Sequence, residues 1–279
     1  MSLETEAPII DPAKHIQGPV LVVAPHSDDE TLGCGATMAL LAEKLPVYVA
    51  YVSDGRLSPS PSFGKPVPDW HQLVVARETE AKVAMETLGI GAGSASDQRL
   101  HFLGFEDAKL RDYERQVAGA IHSLLTLLKP KTLFLPFRYD QNPDHLAVHR
   151  ATIAALDDFP AVRTYQYFVY FRYPLLAERD IRRAVNPVHC SRVDMEPVAT
   201  IKRRALDCYT SQVTRYFSWQ ERPLLQPALL DEHCEGFEYF VTGPLSMPDR
   251  ELFLRNSIQL QFNIRYGAQI VSLKKRIIG

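Results

Sequence analysis

The feature that most constrains this chain is an alternation of apolar, β-branched runs with helical patterns through its first 160 residues. Runs 20–24, 47–52 and 132–136 have the composition of buried strands, and 32–45 and 71–88 have the apolar spacing of amphipathic helices. Strands that alternate with helices are typical of βαβ units, whose strands pair in parallel. We therefore predict an α/β, Rossmann-like fold: a mainly parallel sheet with helices on both faces.

The later segments extend this pattern less regularly. We predict further strands at 100–103 and 164–171, strand-like alternation at 258–264, and helices at 113–128, 145–156 and 197–212. The Pro-rich segment 56–69 is an irregular loop that either covers a site or is an exposed connection, and 221–241 gives no clear pattern. We expect an N-terminal extension (1–17), a main domain (18–240) and a smaller C-terminal extension (241–279) packed on that domain.

Composition narrows the class of partner. The 279 residues carry a net charge of -2 with acidic and basic residues spread throughout, so we expect a small-molecule substrate and neither nucleic acid nor membrane as partner. The N-terminus has no basic flank or apolar stretch, which favours a cytoplasmic protein. The four cysteines are far apart, which indicates neither a disulfide framework nor a thiolate zinc site. Oligomeric state cannot be read from these patterns.

Four ionisable side chains follow the first predicted strand directly: His26, Asp28, Asp29 and Glu30. Like charges this close require a cation, a hydrogen-bond network or open water. A capped helix N-terminus is the simpler explanation, but it needs only one or two carboxylates and no histidine. The segment therefore predicts a metal or acid–base site.

A second polar cluster, 137–145, follows the strand at 132–136. Ligands of open parallel sheets bind at the carboxyl ends of the strands, so we expect the two clusters to meet. One imidazole and one carboxylate from the first cluster and one imidazole from the second suit catalytic zinc or non-haem Fe(II). His149 lies one helical turn after His145, and we interpret it as a polar group on the helix surface rather than a ligand.

The motifs resemble those of the PIG-L/LmbE-like zinc-dependent glucosaminyl de-N-acetylases. "APHSDDETLGCG" is similar to the first family motif, A-H-P-D-D-E, and "NPDH" at 142–145 is similar to the second, H-P-D-H. Other matching landmarks are Ser53–Gly55, Arg77–Glu80 with Leu88–Gly89, Phe102–Asp107, and Lys202–Gln212.

The resemblance implies a role for each matching residue. His26, Asp29 and His145 would bind Zn²⁺, with Fe²⁺ as an alternative, and Asp28 would be the general base. Arg77 and Asp107 would contact the sugar, although a surface ion pair remains an alternative for each. Glu30 would support the site or cap the helix.

The chain departs from the family at two positions. Ser27 replaces a proline, which changes only loop stiffness. Asn142 replaces a histidine that helps to stabilise the oxyanion; asparagine can donate a hydrogen bond there but supplies neither a proton nor a positive charge. Asp144, a neighbour of the site that could have paired with that histidine, is left without an obvious role.

The expected activity is hydrolysis of the N-acetyl or N-acyl amide of an N-acetylglucosamine-containing molecule, which releases acetate and an amine. Two alternatives stay open: a metal-dependent amidase acting on a thiol conjugate or specialised metabolite, and a non-catalytic sugar-binding protein. The intact set of ionisable residues in both motifs argues against the second alternative.

Overall fold

The structure of the protein is a computed structural model that describes residues 6–91, 93–94, 97–172, 180–254, 261–262 and 266. Its centre is a seven-stranded sheet, and a two-stranded hairpin lies apart from it. The strands in chain order are β1 (Val20–Ala24), β2 (Val47–Ser53), the hairpin strands β3 (Gly93–Ser94) and β4 (Asp97–Gln98), β5 (Leu100–Phe105), β6 (Thr132–Pro136), β7 (Arg163–Tyr167), β8 (Cys190–Asp194) and β9 (Phe237–Val241).

The sheet is mainly parallel, with the order β5-β2-β1-β6-β7-β9-β8. Strands β5, β2, β1, β6 and β7 pair in parallel, and β9 runs antiparallel to both β7 and β8. After β1 the chain forms β2 and β5 on one side of β1, and it then returns to form β6 and β7 on the other side of β1. The topological switch point therefore lies at the carboxyl ends of β1 and β6, where open α/β sheets bind ligands.

Helices cover both faces of the sheet. They are α1 (Pro12–His15), α2 (Asp29–Leu41), α3 (Ser60–Phe63), α4 (Trp70–Thr87), α5 (Glu114–Leu128), α6 (Pro143–Ala155), α7 (Ala199–Asp207), α8 (Thr210–Val213), α9 (Pro227–Cys234) and α10 (Asp249–Leu252), with 3₁₀ turns at Leu110–Tyr113, Ile181–Ala184, Pro187–His189 and Glu196–Val198. Residues of α2, α4, α7 and α9 pack in one apolar core with the sheet, and those of α5 and α6 pack in another.

Strand β1 shows why the first apolar run is continuous. Val20 and Val22 pack in the core with α2 and α4, whereas Leu21 and Val23 pack in the core with α5 and α6. Every residue of β1 is buried, because neighbouring side chains point to opposite faces and both faces are covered.

Helix α2 is broken at Cys34, whose φ and ψ of -147° and 22° are not helical. Glu238 of β9 accepts hydrogen bonds from the backbone N–H groups of Ala36 and Thr37 at 2.7 and 2.8 Å, and so caps the second half of α2. Lys202 of α7 donates to the carbonyl of Leu32 at 2.9 Å, at the end of the first half. Lys202 thus contacts the end of the first half, which carries Asp29, and Glu238 caps the half that follows the break.

The predicted fold class is confirmed, with differences at element ends. Helix α2 ends at Leu41 rather than 45, β7 ends at Tyr167 rather than 171, and the helix predicted at 197–212 is two helices, α7 and α8. Segment 221–241 holds α9 and β9, and the Pro-rich loop contains the short helix α3. The strand predicted at 258–264 falls largely outside the described residues. Among the helices the structure describes, none combines the length and apolarity needed to cross a bilayer.

Candidate metal centre

The two polar clusters meet at the switch point. His26 lies two residues beyond the end of β1, and Asp29 begins α2. His145 lies in the first turn of α6, which follows β6 after a short connection. The side chains of Asp29 and His145 are 2% and 0% exposed, so the site lies at the floor of the cleft rather than on its surface.

Three potential ligand atoms face one another at this floor. Oδ2 of Asp29 is 3.0 Å from Nδ1 of His26 and 3.1 Å from Nε2 of His145, and the two ring nitrogens are 3.3 Å apart. Three atoms at these separations can all lie at the roughly 2.0–2.2 Å usual for nitrogen and oxygen ligands of zinc. The sequence-predicted ligand set therefore comes together, and its two imidazoles and one carboxylate fit zinc or iron(II).

The other ring nitrogen of each histidine faces a carboxylate. Nε2 of His26 is 3.3 Å from Oδ1 of Asp107 and 3.4 Å from Oδ2 of Asp144. Nδ1 of His145 is 3.2 Å from Oδ2 of Asp140. In metal sites this arrangement fixes the tautomer and orientation of the ligand ring. Asp107, Asp140 and Asp144 thus lie where the carboxylate partners of metal-binding histidines lie.

Asp28 lies beside the three ligand atoms but is not one of them. Its φ of 137° is rare for a residue with a side chain, and such strain clusters at functional sites. The backbone N–H of Asp28 donates to Oε2 of Glu30 at 3.1 Å. Nη2 of Arg77 donates to the carbonyl of Ser27 at 2.7 Å and lies 3.5 Å from Oδ2 of Asp28. Burial raises the pKa of Asp28 to about 8, although the positive charge of Arg77 opposes the shift. A carboxyl group near neutral pKa can both accept and return a proton.

Negative charge is in excess here. Among the described residues of the site, the buried acids Asp28, Asp29, Glu30, Asp107, Asp140 and Asp144 face one buried cation, Arg77. The excess negative charge raises the pKa of both histidines. Burial alone would lower the pKa of His145, but the charges of Asp29 and Asp140 outweigh burial and raise that pKa to about 10. The carboxylates Asp107, Asp144 and Asp29 likewise outweigh burial and raise the pKa of His26. A divalent cation would supply the missing positive charge, which is a second reason that the residues fit a metal.

Asn142 has a structural contact that its sequence position did not reveal. It is the N-cap of α6, and its Oδ1 accepts the backbone N–H of Asp144 at 3.0 Å. Its amide NH₂ therefore remains as the donor, and Asn142 lines the cavity above the three ligand atoms.

Two expectations from the sequence need correction. Asp144, which had no obvious partner, accepts the backbone N–H groups of Ala108 at 2.8 Å and Leu110 at 3.1 Å and so ties the loop after β5 to α6. His149 is buried rather than on the helix surface, with Nδ1 2.8 Å from the carbonyl of Pro136. His149 is not among the potential metal ligands in the described part of the chain.

Two contributors to the site had no assigned role in the sequence. Asp140 was visible in the second polar cluster, but only the fold shows that it faces His145. Tyr209 donates to Glu30 and is fully buried, so it supports the carboxylate that holds Asp28. No local pattern marks Tyr209, because its partner lies 179 residues away in sequence.

A cavity of about 1120 Å³ opens above the three ligand atoms. Residues 58–62 and 64–66 of the Pro-rich loop line it, so the loop borders the site and is not merely an exposed connection. Ser58 donates to Gln212 of α8 at 2.7 Å, which ties this loop to the far wall. Arg77 and Asp107, the predicted sugar contacts, also line the cavity.

Comparison with known proteins agrees with the motifs. Residues 21–156 match the family model described as PIG-L, GlcNAc-PI de-N-acetylase. A probable N-acetyl-alpha-D-glucosaminyl L-malate deacetylase 2 of Bacillus cereus is 32% identical over 50% of this chain and 62% of its own length. A diacetylchitobiose deacetylase of Thermococcus kodakarensis is 27% identical over 50% of this chain and 51% of its own. The chain thus spans 51–62% of the length of these relatives, less than two thirds of either.

A solved structure shares the fold but carries a different name. GalB, the 4-carboxy-2-hydroxymuconate hydratase of Pseudomonas putida, superimposes with a TM-score of 0.53 at 22% identity, covering 77% of this chain and 82% of its own. The fold alone therefore does not decide the reaction. The residues that match the family model include the polar loop after β1, and they also include the N-cap and first turn of α6. Residues 21–156, slightly less than half of the chain, are similar to the PIG-L family.

Proposed function

We propose that this protein is a metal-dependent hydrolase, with zinc as the metal, that cleaves the N-acyl amide of an N-acetylglucosamine-type amino sugar. The observation that carries the proposal is the set of three ligand atoms of His26, Asp29 and His145, within 3.3 Å of one another, beside the carboxyl group of Asp28, which is not one of the three. Relatives named as deacetylases of such sugars support the substrate class.

The residues divide the chemistry between them. When bound, zinc supplies a water of lowered pKa and polarises the amide carbonyl. Asp28, beside the three ligand atoms, takes a proton from the attacking water and returns it to the leaving amine. Arg77 and Glu30 hold Asp28 in its strained conformation through the contacts described above.

Asn142 and the two sugar contacts complete the site. The NH₂ of Asn142 donates to the oxyanion that develops on the amide oxygen, a contribution that preorganised donors make without reorganisation. Arg77 lines the cavity and donates to the carbonyl of Ser27, which places its guanidinium beside the substrate. Asp107 shares its carboxylate between His26 and the backbone N–H of Leu57, at the edge of the same cavity.

The decisive test measures metal content together with amine release from a panel of N-acetylglucosamine conjugates, with and without chelator. We expect about one zinc per chain and amine release that the chelator abolishes and zinc restores. Asp28→Asn should keep the metal and lower kcat about 10²–10⁴-fold. The exposed Asp157→Asn is the matched control and should behave as wild type. Bound metal without amine release from any conjugate would refute the proposed reaction.

A further inference from the structure

We propose that Ser58 of the Pro-rich loop accepts a hydrogen bond from a ring hydroxyl of the substrate sugar, and that Glu80 of α4 fixes this polarity. This inference rests on the proposed function and deepens it, because it assigns a sugar hydroxyl to a residue outside both motifs. The preferred substrates are then amino sugars in which that hydroxyl is free rather than substituted.

Four side chains form a chain of hydrogen bonds that ends at the cavity. Oγ of Ser58 donates to Oε1 of Gln212 at 2.7 Å, and Nε2 of Gln212 donates to Oγ of Ser211 at 2.7 Å. Oγ of Ser211 in turn donates to Oε2 of Glu80 at 2.6 Å. All four residues are buried, so their polar atoms depend on one another for partners.

The carboxylate of Glu80 fixes the direction of these hydrogen bonds. Its Oε1 accepts the backbone N–H of Ser211 at 2.7 Å and the hydroxyl of Thr210 at 2.6 Å, and its Oε2 accepts the hydroxyl of Ser211. A carboxylate accepts hydrogen bonds and donates none, so the hydroxyl proton of Ser211 points to Glu80. Gln212 must then turn its NH₂ to Ser211 and its carbonyl oxygen to Ser58.

The hydroxyl proton of Ser58 is therefore already used in the bond to Gln212. A serine hydroxyl has one proton and two lone pairs, so Ser58 offers a ligand an acceptor and no donor. Ser58 and Gln212 both line the cavity, which places their hydrogen bond at the cavity wall. The matching group on the ring of an N-acetylglucosamine-type sugar is a free hydroxyl, which can donate.

The loop also holds Ser58 close to the candidate metal centre. The backbone N–H of Leu57 donates to Oδ2 of Asp107 at 3.1 Å, and Oδ1 of the same carboxylate is 3.3 Å from Nε2 of His26. Ser58 thus follows directly after a residue that contacts the carboxylate partner of a potential metal ligand. A sugar whose amide lies at the metal therefore has its ring, rather than a remote aglycone, next to Ser58.

The first test compares an N-acetylglucosamine conjugate with its deoxy analogues, one for each ring hydroxyl, on the zinc-loaded protein. We expect kcat/KM to fall about tenfold for the analogue that lacks the donor to Ser58. In Ser58→Ala this penalty should shrink to about twofold, while the penalties at the other hydroxyls stay as in wild type. The exposed Ser218→Ala is the control and should keep every penalty. Calorimetry with the free-amine conjugates, which carry no acyl group to hydrolyse, measures binding alone.

The second test addresses the polarity set by Glu80. Glutamine is isosteric with glutamate but donates through its NH₂, so in Glu80→Gln the chain of hydrogen bonds can reverse and Ser58 can donate into the cavity. A deoxyfluoro analogue accepts a hydrogen bond and donates none. It should bind to wild type no better than the deoxy analogue does, but about threefold better than that analogue to Glu80→Gln. Glu78→Gln, at a partly exposed position of the same helix, should behave as wild type.

The other outcomes count against one specific claim each. Deoxy penalties that Ser58→Ala leaves unchanged, or an equal loss for every conjugate, would overturn the role of Ser58 and leave the proposed function intact. A deoxyfluoro analogue that Glu80→Gln binds no better than the deoxy analogue would overturn the polarity. Binding of the free-amine conjugates that depends on Ser58 at one hydroxyl, with no amine release from any acetylated conjugate, would support this inference and refute the proposed function.

Discussion

Two buried groups of charges lie at opposite ends of the first half of α2, and they are built differently. Below the break in α2, Lys202 and Glu238 are 1% and 4% exposed and form one ion pair at 2.8 Å. Both oxygens of Glu238 also accept backbone N–H groups, and Lys202 donates to the carbonyl of Leu32. Charge and hydrogen bonding are balanced within this pair.

The candidate metal centre at the start of α2 is unbalanced. Its carboxylates outnumber its fixed cations, and its histidines titrate accordingly. The contrast is clearest in two buried histidines: Asp29 and Asp140 overcome burial and raise the pKa of His145 to about 10, whereas burial and the charge of Lys202 lower the pKa of His233 to about 3. A buried pair with its hydrogen bonds satisfied needs no further ion, whereas an unbalanced cluster is stable only with a bound cation or protons.

The largest expected effect is the loss of bound metal when His145 is replaced. His145→Ala removes one of three ligands and leaves Asp29 with a single histidine partner, so metal content should fall from about one per chain to nearly zero and amine release should fall to background. Metal analysis after dialysis and the amine assay check this. The exposed His122→Ala is the control, and retention of metal in His145→Ala would show that the ligand set is wrong.

The second prediction concerns loss of the buried ion pair between Lys202 and Glu238. Lys202→Met leaves Glu238 buried without its cation, and loss of one partner of a buried pair costs about 3–5 kcal/mol of unfolding free energy. Denaturant unfolding measures the loss, and metal content at low temperature should stay near one per chain. Lys14→Met, which removes an exposed ion pair with Asp11, should change stability little. A stable Lys202→Met variant would contradict the role given to this pair.

The third prediction concerns His233, whose nitrogens lie 3.0 and 3.1 Å from the carbonyls of Leu32 and Val169. Two carbonyl acceptors favour the charged ring, but burial and Lys202 outweigh them and lower the pKa to about 3. Because the unfolded chain then binds a proton near pH 6.5 that the folded chain does not, stability falls as pH falls below 6.5, by up to about 2 kcal/mol at pH 5.

Unfolding curves of wild type and His233→Gln from pH 8 to 5 isolate this contribution. The variant should lose less stability on acidification than wild type, whatever its stability at pH 8. Parallel curves for the two proteins would show that His233 does not titrate between the folded and unfolded states.

The smallest expected effects come from substitutions of Asn142, which caps α6 and is the proposed donor to the oxyanion. Asn142→Ala removes the helix cap and should cost about 1 kcal/mol of stability, whereas Asn142→Asp keeps the acceptor for the N–H of Asp144 and loses the donor. Asn142→Asp should therefore be more stable than Asn142→Ala, but its kcat should be lower than that of wild type. Asn142→His should keep the metal; a collapse of its metal content would mean that the second motif is misplaced.

The periodicity of the first half of the chain was enough to predict the sheet and the meeting of the two motifs. Strands β1, β2 and β6 are near-continuous apolar runs because helices cover both faces, and parallel strands place their carboxyl ends together. His26, Asp29 and His145 could be brought together on these grounds and on the family resemblance alone.

The C-terminal half was less predictable. Strand β8 was missed, and β9 lay in a segment without a clear pattern, because the pairing of these two strands depends on each other and on β7 rather than on local sequence. For the same reason β7 was predicted to be too long, since the chain leaves the sheet after Tyr167 to line the cavity.

By itself, the sequence determined the fold class and the residue types at the metal centre, because both follow from local periodicity and short motifs. The tertiary structure alone decided which carboxylate faces which imidazole, that Glu238 caps the second half of a broken α2 from 202 residues away, and that the Pro-rich loop lines the cavity. These contacts join residues distant in the chain, and burial, which sets their strength and the pKa values of the site, exists only once the chain has packed.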